Sequence, residues 1–203
     1  MSNGASIGHA EHGRSASDKA LAFFLRFLRA PKQIGSVVPS SSFLERRLVK
    51  TAGVAQARTV VELGPGTGGT TQAILNALPA DGKLLAIEID RRFADMVKTD
   101  IADPRLITHQ GSAEHIAATL AKYALPAPDA VVSGIPFSTM PRQVGEEILR
   151  AIRHSLAPGG RFVAYQLRDR VAVLGQDIFG AAEIDIELLN VPPIRVFRWR
   201  KPR

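Results

Sequence analysis

The sequence predicts an α/β fold, a doubly wound sheet of seven strands that ends in an antiparallel C-terminal pair and is preceded by amphipathic helices. Three observations carry that expectation. From Thr59 onward, short apolar runs alternate with longer amphipathic ones. One of those runs passes directly into a glycine-rich turn, Glu62-Leu63-Gly64-Pro65-Gly66-Thr67-Gly68-Gly69. The last two apolar runs alternate residue by residue with no helix between them, the pattern of an antiparallel pair. The 203 residues suffice for one such domain with a short appendage.

The elements follow in order. Residues 1–17 are rich in Gly, Ser, Ala and His and lack a basic start leading into an apolar core, so they read as a mobile tail and not a secretory signal. Residues 18–57 read as an N-terminal amphipathic segment that covers the substrate and cofactor sites. Within it, Leu21, Phe24, Leu25 and Leu28 share one helical face, widened by Phe23 and Phe27, while Lys19, Ala22, Arg26 and Arg29 lie opposite. Pro31 ends that helix. A second helix follows Pro39, with Ser40 or Ser41 as cap and Leu44, Leu48 and Val49 facing inward. The main domain then occupies 58–203, with strands expected at 59–63, 83–89, 105–109, 130–133 and 160–167 and helices near 70–78, 91–99, 113–123 and 142–156. The unbroken apolar run at 130–132 suits a central parallel strand covered on both faces. Residues 183–189 and 195–200 form the closing pair.

Composition narrows the function classes. A formal charge of +7 attracts polyanions, either nucleic acid or an anionic membrane surface. The absence of cysteine excludes disulfides, thiolate metal sites and a cysteine nucleophile. The longest uncharged apolar stretch near the start is cut by Arg26 and falls far short of the roughly 20 residues that span a bilayer. The expected location is therefore the cytoplasm, peripheral at the inner face of the membrane.

The glycine turn lets a ligand approach the backbone closely, because no Cβ stands in the way. Gly64, Gly66 and Gly69 also satisfy the spacing of a dinucleotide fingerprint. However, Glu62 at the end of the strand would set a carboxylate beside a doubly anionic pyrophosphate, whereas it suits a cationic ligand such as the ammonium and sulfonium of S-adenosylmethionine. Glu88 at the neighbouring strand tip can accept both hydroxyls of a ribose, in a nicotinamide enzyme as well as here. Ser112 and Ala113 after the third strand can meet an adenine amino group while Ile89 packs on the ring.

These residues, Glu-Leu-Gly-Pro-Gly-Thr-Gly at 62–68 with Glu88 and the late Leu156-Ala157-Pro158-Gly159-Gly160, resemble the class I S-adenosylmethionine-dependent methyltransferases. The resemblance implies a Rossmann-like sheet, S-adenosylmethionine as cofactor and S-adenosylhomocysteine as product. It implies a cofactor site made by Glu62, Gly64, Gly66, Gly68, Glu88, Ile89, Ser112, Ala113 and Ser133. An acid is common in the family where Ser112 stands, so the adenine contact departs from the pattern.

The fourth strand ends Ser133-Gly134-Ile135-Pro136-Phe137, where this family presents groups to the methyl acceptor. Methyltransferases acting on adenine amines carry Asn or Asp two residues before the proline and an aromatic after it. Phe137 fits that scheme and Gly134 does not, while Ser133 is one position early and points to the other face of the strand. Ser-Gly-Ile-Pro, with the upstream run from Phe27 through Pro31, Gly35 and Pro39-Ser40-Ser41, is similar instead to the small bacterial phospholipid N-methyltransferases, which act on phosphatidylethanolamine or, in relatives, ornithine lipids. The resemblance implies Ser133, Gly134 and Phe137 as acceptor-side residues and a phospholipid substrate on an anionic membrane; the sequence does not fix the oligomeric state, and a monomer is the default expectation. The alternatives are an RNA adenine N-methyltransferase and a cofactor-binding adaptor with a basic docking surface. The helix at 18–29 reads either as an interfacial anchor or as ordinary core. The basic segment 195–203, with Trp199, reads as an interfacial patch or as a solvated edge strand. His109, His115 and Tyr165 lie near strand ends and read as structural, and no spacing of His, Asp and Glu marks a metal site.

Overall fold

The computed structural model describes residues 41–203. The tail, the amphipathic helix at 18–29 and the proline-rich run up to Ser40 lie outside the described residues. Among the described residues, strands β1 (Thr59–Leu63), β2 (Lys83–Glu88), β3 (Leu106–Gln110), β4 (Ala130–Ser133), β5 (Arg161–Gln166), β6 (Glu183–Glu187) and β7 (Ile194–Arg200) form one sheet in the order β3-β2-β1-β4-β5-β7-β6. The first five run parallel, and β7 runs antiparallel to both β5 and β6. This is the doubly wound sheet with its closing pair. Its chain reversal between β1 and β4 opens a crevice at the carboxyl ends of those strands.

The helices are α1 (Ser42–Ala52), α2 (Gly69–Ala77), α3 (Arg91–Asp100), α4 (Ile116–Lys122), α5 (Arg142–Ser155) and α6 (Arg170–Phe179). On one face of the sheet, Leu44 and Leu48 of α1 with Ile74 and Leu75 of α2 pack against Val60, Leu84, Val132 and Val163. On the other, Ile116, Leu149, Ile152 and Leu174 cover Val61, Leu85, Val131 and Phe162. Each such fully buried side chain contributes about 1.5–3 kcal/mol relative to exposure. All five residues of β1 are buried, as a central strand covered on both faces requires.

The strands end within one residue of their expected positions except that β6 stops at Glu187, two short of Leu189. The expected helix at 113–123 divides into a 3-10 turn, Ala113–His115, and α4. Ser41 caps α1 by accepting from the Leu44 amide, and Val49 is only half-buried. Two readings need correction. The stretch between β5 and β6 carries α6, an element with no assignment from sequence; it has no side-chain cap bond, and a glycine sits in its middle. That glycine, Gly175, is where the ring of Trp199 lies, since a Cβ there would stand 3.1 Å from it. The edge-strand reading of 195–203 and the interfacial reading of its tryptophan both fail: β7 is an interior strand, and Trp199 is buried, stacked on Phe162 at 5.1 Å with its indole N–H donating to the Gly180 carbonyl. The edge strand on that side is β6.

Candidate functional site

The crevice begins where β1 runs out. Gly64, Gly66 and Gly68 all adopt positive φ (74°, 56° and 88°), a backbone that side chains with a Cβ rarely tolerate. A Cβ on Gly66 would meet nothing within 4 Å, so the turn is an open cradle there. Gly68 packs more tightly, with Ile101 and Val97 of the α3 region 3.1 and 3.4 Å from a Cβ position. The turn is joined to the next strand, because the Gly66 amide donates to the Glu88 carboxylate at 3.1 Å. The other Glu88 oxygen accepts from the Asp90 amide at 3.0 Å, which still leaves lone pairs for hydroxyl donors. The third strand tip is linked in the same way, Gly111 N–H to the Glu88 carbonyl at 2.8 Å.

Glu62 lies one layer deeper. It is buried, and its carboxylate accepts from the Thr71 hydroxyl of α2 at 2.6 Å. Burial pushes this carboxyl up to about 8; the Thr71 hydrogen bond pulls it down and the charge of Glu88 adds to the rise. Burial also raises Glu88, against the backbone amides of Asp90, Gly66 and Ile89. Glu62 and Glu88 thus flank the glycine turn, and among the described residues neither is paired with a basic side chain, an arrangement that favours a cation. Ile89 is half-buried beside Glu88. Ser112 accepts from the Glu114 amide at 3.4 Å and so caps the turn after β3, with Ala113 buried behind it.

The β4 side is arranged differently. Ser133 is fully buried and its Oγ accepts from the Ile135 amide, so the hydroxyl serves the bend of its own loop. Phe137 is likewise fully buried, near Met140 and the backbone of Gly145. Of the three expected acceptor-side residues, Gly134 is the one that is not fully buried. A Cβ there would stand 2.6 Å from the Tyr165 hydroxyl and 3.0 Å from the Gly64 carbonyl, so no side chain fits. The Tyr165 hydroxyl, 3.5 Å from Thr70 Oγ1, thus occupies the junction of the glycine turn, α2 and the β4 loop. Gln166 holds that loop, its amide donating to the Ile135 carbonyl at 2.6 Å.

Sequence reasoning missed three contributors. Tyr165 read as structural, yet it borders Gly134. Glu45 of α1 reaches the turn, 2.8 Å from a Cβ position on Gly69, and burial raises its carboxyl. Gln166 is a strand residue whose role depends on a contact across 31 positions. The available signals were the uncommon glycine at 134 and the acid in the first turn of α1. His109 stands beside Gly111, its ring 2.8 Å from a Cβ position there, and is paired with the Tyr123 hydroxyl at 3.2 Å; His115 is exposed.

A methyltransferase-domain family model matches residues 60–160. The ornithine lipid N-methyltransferase of Singulisphaera acidiphila is 31% identical over 144 residues, covering 69% of this chain and 75% of that protein. The ribosomal RNA small subunit methyltransferase A of Nocardia farcinica is 30% identical over 167 residues, 77% of this chain but only 53% of that protein's length. Among solved structures, the O-methyltransferase of Bacillus cereus in complex with S-adenosylhomocysteine superposes with a TM-score of 0.65 over 95% of this chain and 94% of its own, at 13% identity.

Proposed function

The chain belongs to the class I S-adenosylmethionine-dependent methyltransferases, and from that premise we propose that it N-methylates the amine headgroup of a membrane lipid such as phosphatidylethanolamine or an ornithine lipid. The cofactor is S-adenosylmethionine. The residues fit it: an open glycine cradle, a buried Glu88 with acceptor capacity left for a ribose, and a buried Glu62 suited to an ammonium. When bound, it supplies an electrophilic methyl group. The chain's own residues then bind, orient and exclude water, which for a displacement reaction is most of what catalysis requires.

The observation that carries the substrate reading is the packing at Gly134. The carboxamide or carboxylate that adenine-directed relatives present at this position has no room here, because Tyr165 stands in its place. The phenol is well placed to orient an incoming amine, and Gly134 offers a backbone carbonyl. The match to a lipid N-methyltransferase over three quarters of its length supports the same reading. A ribosomal RNA adenine N-methyltransferase is the second reading, favoured by matches over most of this chain. The domain division at residue 58, the cytoplasmic face of the membrane and a monomeric state belong to the proposal.

The test offers the purified full chain and radiolabelled methyl donor to phosphatidylethanolamine, ornithine lipid and ribosomal RNA. Label in lipid and none in RNA is the expected result. Label in RNA alone would overturn the reading.

A further inference from the structure

The tip of the β6–β7 hairpin reverses the usual composition of a loop. Its polar groups point inward and are used: Glu187 accepts from Arg47 Nε of α1 at 2.7 Å and from the Leu189 amide at 3.0 Å. Asn190 is buried, accepting from the Ser41 amide at 3.0 Å and donating to the Pro192 carbonyl at 2.9 Å. The apolar side chains point outward, Leu188 being 71% exposed, Leu189 61% and Val191 85%. Loop tips are ordinarily polar, so an apolar tip built on satisfied polar anchors is a feature that needs an occupant.

The tip continues a stripe. Ile184 and Ile186 alternate along β6 on the face of Leu188 and are each about half exposed. Position matters as much as composition. Because β7 runs antiparallel to β5, with Arg195 opposite Gln166, the hairpin tip stands at the carboxyl ends of the parallel strands, the same end as the glycine turn and Gly134. The charge around it is basic. Arg195, whose guanidinium donates to the Leu167 carbonyl, exposed Arg168, and exposed Arg46, which lies over Phe43 at 4.7 Å, stand at this end, against exposed Asp169 and, on β6, exposed Asp185, which lies near Arg47. Phe43 is itself 45% exposed.

We propose that Leu188, Leu189 and Val191 dip into the surface of a bilayer containing anionic phospholipid, with Arg46, Arg168 and Arg195 meeting the headgroups, so that the crevice opens onto the membrane. Apolar side chains at the headgroup boundary and adjacent arginines are the two contributions that hold a peripheral protein to such a surface. This docking deepens the lipid N-methyltransferase reading and rests on it for its purpose.

The experiment uses the full chain, wild type and the triple variant Leu188→Asp, Leu189→Asp, Val191→Asp, in sedimentation with vesicles of phosphatidylethanolamine and phosphatidylglycerol. The expected result is a loss of vesicle partitioning of about tenfold or more, with adenosylhomocysteine affinity unchanged by calorimetry and methylation of detergent-dispersed lipid retained. Vesicle binding equal to wild type would overturn the proposal, including the case in which the variant instead turns a dimer into a monomer by analytical ultracentrifugation and so assigns the stripe to a second copy. Arg168→Glu is a milder second variant, expected to weaken binding at low salt and much less at high salt; salt-independent binding in the wild type would overturn the assigned role of the arginines. If the wild type methylates no dispersed lipid while its vesicle binding still depends on the hairpin, the substrate reading fails and the docking surface stands.

Discussion

On the β1–β2 side of the crevice, backbone does the work. Three glycines at positive φ shape the turn, and main-chain amides of Gly66 and Asp90 hold Glu88 in place. On the β4–β5 side the shape comes from side chains meeting across long sequence separations: Tyr165 against Gly134, Gln166 against Ile135. The difference separates two tasks. On the proposed reading, the first side holds a nucleoside donor common to a whole family by backbone geometry, and the second selects the acceptor by which side chain occupies a small space.

The sharpest way to break that comparison is to place on the β4 side the group it excludes. Gly134→Asn would drive its Cβ into the Tyr165 hydroxyl and the Gly64 carbonyl, displacing both halves at once. Methyl transfer should fall by about 1,000-fold or more, and stability by about 2–3 kcal/mol. Activity toward any acceptor, measured with the labelled donor, together with thermal unfolding, checks this. Retained lipid activity would mean that the space at Gly134 does not select the acceptor.

The donor side is tested next by Glu88→Ala. Removing the carboxylate takes away ribose acceptors and leaves the Gly66 and Asp90 amides without their partner. Adenosylhomocysteine affinity should drop about 100-fold, or roughly 2–3 kcal/mol. Calorimetry measures it, and an unchanged affinity would show that the ribose lies elsewhere.

Glu62→Gln sharpens the same side through pH. The folded carboxyl is raised to about 8 from 4.5, so between those values the folded chain keeps a proton that the unfolded chain has lost. Stability therefore falls as pH rises through that window and levels off above it. The glutamine variant should lose this slope, matching wild type near pH 4.5 and exceeding it at pH 8 by on the order of 2 kcal/mol. Denaturant unfolding at several pH values decides the matter. The same variant should bind adenosylhomocysteine more weakly at pH 8, since a neutral amide answers an ammonium poorly.

How far the sequence led follows the same division. The extent of β1, the glycine turn and the tip of β2 were legible because each rests on local chemistry, a strand period and positive-φ glycines. The helix α6 was not, since its signal depends on a partner: Gly175 weakens helix propensity but makes room for Trp199 on β7. Trp199 itself looked interfacial among its basic neighbours and proved buried, because an interior strand and an edge strand share one alternating pattern and only the strand order tells them apart. Ser133 and Phe137 fell where a strand-end rule puts acceptor groups, yet both are fully buried, Ser133 bonded within its own loop and Phe137 in the core. Gly134 was identified as a departure, but the reason for it, a tyrosine hydroxyl 31 positions away, exists only in the folded chain.

The smallest expected effect bears most directly on the acceptor side. Tyr165→Phe removes one oxygen and leaves the ring, so the wall beside Gly134 keeps its shape while the group next to Thr70 Oγ1 is lost. If the phenol orients the amine, kcat should fall about tenfold, near 1.4 kcal/mol, with adenosylhomocysteine affinity and unfolding within about twofold and 1 kcal/mol of wild type. A hydroxyl that only braced the fold would give the opposite split, lowered stability with kcat intact. Tyr165→Ala then separates shape from chemistry. It frees the space at Gly134, so Gly134→Ala should be less harmful in that background by more than about 0.5 kcal/mol. Strict additivity of the two substitutions would mean that this contact does not define the acceptor wall.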